Sequence, residues 1–165
     1  VLYNKRTLSN DYLRGSYFAV TSFFRGIEEI DKSYDKNRIS SYLGSFKHFF
    51  KNLIEKKWGK KEFILFDGSF ATDANLHFEI SDVNNMKLIK VKPKAITTNI
   101  QTTSKFFRSF NVLYNNKEQS KIIFKTSEFY VDAFGNHTHI DQIDFSGEIS
   151  EKRFGDMLPL DFEHK

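Results

Sequence analysis

The 165-residue chain contains no cysteine. Disulfides, thiolate zinc sites and thiol nucleophiles are therefore excluded. The absence decides nothing about compartment, since a bacterial cytoplasm and an exported domain are both compatible with it. Proline is scarce, at two residues, and there are eight glycines, too few for a collagen-like or linker-rich chain. No apolar run approaches the ~20 residues that a membrane-spanning helix needs. No signal-peptide pattern is visible, and the start at Val1 is compatible with the loss of an earlier leader or anchor. Catalytic signatures are missing too. There is no Gly-rich phosphate loop and no His-Glu-x-x-His helix, and Ser146-Gly147-Glu148 lacks the preceding Gly-x of a nucleophile elbow. These gaps weigh against an enzyme, and no cofactor is expected.

What the chain does have is phenylalanine, 19 residues of it, which points to an aromatic core. Its length suits one domain with a sizeable core better than two. The net charge is +4, unevenly spread. From Asp141 to Lys165 seven acids oppose three bases, giving that stretch −4 and leaving +8 on residues 1–140. A basic body with an acidic tail is one way to attract an anionic partner. Lys-, Asn-, Ile- and Phe-rich coding from AT-rich DNA is the plainer explanation.

Periodicity orders the elements. From Ile39 to Trp58, apolar residues recur at steps of three and four: Ile39, Tyr42, Leu43, Phe46, Phe49, Phe50, Leu53, Ile54 and Trp58. That spacing predicts one amphipathic helix, with Ser41, Lys47, His48, Lys51, Asn52 and Glu55 facing water and Gly59 ending it. A first helix is expected over Ser9–Ile30, joined to the second by the polar connector Asp31–Asp35 as an antiparallel hairpin. After Gly59 the period changes to two. Strands are expected at Glu62–Phe66, around Leu76–Ile80, at Met86–Lys94, Phe106–Tyr114 and Lys121–Val131, with His137–Phe145 as hairpin partner of the last. Short turns between them imply mainly antiparallel pairing.

The chain therefore reads as a single soluble α+β domain over residues 1–165. A helical hairpin (8–58) packs on a curved, mainly antiparallel β-sheet (62–146), and an acidic tail (147–165) docks through its apolar residues. In element order this resembles the cone-shaped folds of the NTF2/cystatin type.

Three sets of residues merit attention as sites. Tyr12, Phe18 and Phe23 lie partly off the narrow apolar stripe of the first helix, where they would contact a protein partner or a second copy. Isolated exposed aromatics are also ordinary. Lys90, Lys92 and Lys94 form a basic stripe on one strand, suited to anions or to single-stranded nucleic acid. Lysines on an edge strand also block aggregation. His137, His139 and Asp141, two apart on an expected strand, would share a face and offer a metal two imidazoles and a carboxylate. A solvated hairpin end is the ordinary alternative. The leading expectation is a non-enzymatic interaction or assembly module, belonging to a larger or membrane-associated complex. Nucleic-acid binding and a metal-dependent enzyme are the alternatives.

Overall fold

The computed structural model describes residues 32–93, 107–151, 158–162 and 164. The expected helix over 9–30, with Tyr12, Phe18 and Phe23, lies outside them, as does Lys94. The described residues form an α+β fold with two antiparallel sheets.

The expected helix at 39–58 is two helices. Helix α1 spans Lys32–Tyr42 and α2 spans Phe46–Glu55. The first therefore begins inside the stretch expected to be a connector. Gly44 breaks the run with φ of 77°, a left-handed conformation that glycine enters without a Cβ penalty. Ser45 then caps α2 by accepting the His48 N–H at 3.3 Å. The end comes early as well: Lys56, also left-handed, donates its N–H back to Asn52 O and Leu53 O. Most of the polar face of α2 does not meet water, although Glu55 at its end is exposed. Lys47, His48, Lys51 and Asn52 are buried together with Phe49, Phe50 and Leu53. Other polar groups stand in for solvent. His48 contacts Glu62 through Nε2 at 3.2 Å, and Asn52 Nδ2 donates to the same carboxylate at 2.8 Å.

Eight strands follow: β1 Phe63–Asp67, β2 Phe70–Thr72, β3 Phe78–Val83, β4 Met86–Val91, β5 Arg108–Tyr114, β6 Glu118–Phe124, β7 Glu128–Asp132 and β8 Ile143–Gly147. One sheet has the order β2-β1-β5-β6-β8, the other β3-β4-β7. A four-residue helix α3, Glu148–Glu151, follows β8. The strand expected at 121–131 is thus split between the two sheets. Thr126 turns the chain at the split, its hydroxyl donating to Glu128 O and accepting the Glu128 N–H. On either side, Phe124 and Phe129 stack at 5.6 Å with an interplanar angle of 19°. The expected hairpin with 137–145 forms in two pieces: β8 pairs with β6, Phe124 opposite Ile143, and His137 makes an isolated bridge to Val131. Around Leu76 the chain forms a 3-10 turn, Ala74–Leu76, capped by Asp73, so β3 starts only at Phe78.

Alternation places Phe63, Leu65, Phe110, Val112, Ile122, Phe124 and Ile143 on the inner face of the larger sheet. Phe78, Ile89, Val91, Phe129 and Val131 face them from the smaller sheet, and α2 adds Phe49, Phe50 and Leu53. Trp58 packs on this core, edge-on to Phe49 at 5.9 Å.

Candidate functional site

At the end of the larger sheet, four polar side chains meet in a row. Arg108 opens β5 in phase with the core residues Phe110 and Val112, so its side chain goes inward, and it is only 5% exposed. Its guanidinium lies over the Phe110 ring, 4.7 Å from the centroid. One terminal nitrogen donates to Asp67 Oδ2 at 3.0 Å and contacts His77 Nδ1 at 3.0 Å. His77 Nε2 lies 2.7 Å from Thr72 Oγ1. Four local features place these groups: Asp67 ends β1, Thr72 ends β2, His77 closes the 3-10 turn and Arg108 begins β5.

The tautomer of His77 follows from its neighbours. A guanidinium can only donate, so Nδ1 must accept and Nε2 carries the hydrogen that reaches Thr72. Burial and the Arg108 charge hold the imidazole below the usual histidine range, with Asp67 opposing them only in part. The Thr72–His77 contact therefore looks like a hydroxyl nucleophile beside a base but has the opposite sense. A catalytic histidine takes the hydroxyl proton while a carboxylate supports its other nitrogen. Here a cation occupies that position and the proton already sits on Nε2. Arg108 Nε is buried and finds no hydrogen-bond partner among the described residues, a condition that costs about 1–3 kcal/mol in a fold.

The surroundings of this row are apolar and exposed. Phe70 stands opposite Asp67 on the β1–β2 ladder and is 81% exposed. Leu76, next to His77, is 64% exposed, and Phe107, next to Arg108, is 61% exposed. The polar row is charge-balanced, one guanidinium against one carboxylate beside a neutral imidazole.

The lysine stripe falls elsewhere. Strand β4 is the middle strand of its sheet, not an edge, and it ends before Pro93. The register sets Lys90 between Glu79 on β3 and Glu128 on β7, while Lys92 Nζ lies 3.4 Å from Glu79. Each described lysine of the stripe thus faces an acid.

His137, His139 and Asp141 are not on one strand. His137 makes a single bridge to Val131 and packs its ring against Phe50, Phe46 and Phe145 at 4.6, 5.5 and 5.8 Å. His139 is exposed and left-handed at φ 58°, which breaks the alternation, and Asp141 lies on the 3-10 turn Ile140–Gln142. No group of three or more His, Cys, Asp or Glu placed to hold a metal ion occurs among the described residues. Asp132 serves its own turn, accepting from Phe134 N, Asn136 N and Asn136 Nδ2. A shallow open groove of about 510 Å³ crosses the outer face of the larger sheet between Phe66, Asn111, Lys121 and Ser146.

Compared with protein-family models, with curated proteins and with solved structures, the chain matches none. Among the described residues, no helix is long and apolar enough to cross a membrane.

Proposed function

We propose that this protein is a non-enzymatic interaction module and that its contact surface is the end of the larger sheet carrying Phe70, Leu76 and Phe107. One observation carries the reading: three large apolar side chains protrude beside a half-buried, charge-balanced Asp67–Arg108–His77 row. Protruding apolar residues grouped around a polar centre are the signature of a surface that docks. The same charge balance favours a protein partner with apolar contact residues over a nucleic acid, which would need cations free to meet phosphates. Lys90 and Lys92, paired with Glu79 and Glu128, do not provide them. The proposal retains the N-terminal helical hairpin and the cone-like arrangement of helices on curved sheet as its architecture. Tyr12, Phe18 and Phe23 would extend the contact surface.

Affinity capture from native extract, with and without nuclease, tests the class of partner. The expected result is a discrete protein that persists after nuclease treatment. Loss of all captured material on nuclease treatment would move the reading to nucleic acid. Stoichiometric metal in the untagged protein, by elemental analysis, would move it to a metal-dependent enzyme.

A further inference from the structure

The C-terminal segment is held through its backbone carbonyls as well as through an aromatic side chain. Lys47, in the first turn of α2, is 5% exposed, and its Nζ donates to two successive backbone carbonyls, Pro159 O at 2.8 Å and Leu160 O at 3.1 Å. Asn136 Nδ2 donates to Leu160 O at 2.8 Å. The segment is a tight turn, closed by Phe162 N donating to Pro159 O at 3.1 Å. Its fourth residue is read by an aromatic contact, the buried Tyr42 lying 5.6 Å from Phe162 and 5.7 Å from His164. The two middle residues are left outside, with Leu160 75% exposed and Asp161 exposed.

The receiving surface is built firmly. Gly135, at φ 83°, lies so close to α2 that an added Cβ would stand 2.1 Å from Lys47 O. The turn containing it is locked by the three hydrogen bonds to Asp132. Burial lowers the pKa of the Lys47 amine, with Asp132 and Asp161 opposing. A buried ammonium needs acceptors, and the carbonyls of the turn provide two.

We propose that this cleft, formed by Tyr42, Lys47 and Asn136, is a peptide-binding site. Its ligand class is a four-residue turn that begins with proline, ends in an aromatic residue and is read through its backbone carbonyls. Pro159–Phe162 is the resident ligand, and a partner segment of the same chemistry displaces it. The site is formed by different residues from the Phe70 surface and stands independently of it. A tethered ligand competes at an effective concentration on the order of millimolar, so the full chain largely masks its own site.

The probe is a fluorescein-labelled synthetic peptide with the sequence of residues 157–165, titrated by anisotropy into the full-length chain. Phe162→Ala loosens the resident turn without touching the cleft. The labelled peptide should bind F162A at least about ten-fold more tightly than wild type, given that competition. Binding should be lost when Asn136→Ala is added, and also when the peptide's own phenylalanine is replaced by alanine, a control that leaves the protein unaltered. Equal binding to wild type and F162A, no binding to either, or binding indifferent to the peptide's phenylalanine would overturn the proposal.

Discussion

His77 is held as a neutral acceptor because Arg108 can only donate to it. Its folded pKa lies below the usual histidine value, through burial first and the Arg108 charge second. The unfolded chain therefore binds the proton more readily. Stability from this group is complete above the unfolded value of about 6.5 and is lost as pH falls through it toward the folded pKa. Wild type should lose stability relative to His77→Gln below that pH, and parallel denaturation midpoints from pH 5 to 7.5 would contradict this. Glycine positions give a second contrast. Gly135→Ala brings a Cβ against Lys47 O and should cost more than the ~1–2 kcal/mol of left-handed strain alone. Gly68→Ala, at φ 66° with open space around it, should cost only that strain, and urea denaturation compares the two. Arg108 was partly legible in the sequence, since it keeps step with Phe110 and Val112 on an expected strand. His77 was not: Leu76 and Phe78 mimic a strand there, and the capping Asp73 was the missed signal.

At the level of elements, the apolar spacing from Ile39 to Trp58 was real but continuous only on paper. A Gly-Ser pair inside it was enough to end α1 and restart the chain as α2, because Gly44 supplies a left-handed residue and Ser45 a cap. Ser45→Ala should therefore lower stability by about 1 kcal/mol, read from denaturant midpoints, and an unchanged midpoint would contradict the role of the cap. The polar stripe of α2 misled for a different reason. Periodicity reports which residues are apolar, not which are covered, and Lys47, His48 and Asn52 are buried against polar partners outside the helix, Pro159 O for Lys47 and the Glu62 carboxylate for the other two. Strand existence and antiparallel pairing after residue 59 were readable from alternation and short turns, whereas the division into two sheets was not. The Thr126 hydroxyl, together with backbone bonds from Lys125 N to Gln142 O and from Val91 N to Ser127 O, marks the point where the chain passes from one sheet to the other.

For the whole molecule, one core takes up seven of the 19 phenylalanines. Phe78, Phe110, Phe124 and Phe129 form a chain of ring contacts between the sheets, continued by Phe50, Phe49 and Phe63 through α2. Against that background, Phe70 and Phe107 are phenylalanines that the core does not use. Register sets the described lysines of β4 opposite acids. The most direct measurement is partner capture by wild type and by the double variant Phe70→Ser/Phe107→Ser, with melting temperatures recorded for both. The account predicts that a nuclease-resistant partner, or self-association seen by light scattering, is lost in the double variant while its melting temperature stays close to wild type. Undiminished association by a folded double variant would place the contact surface elsewhere and contradict the account.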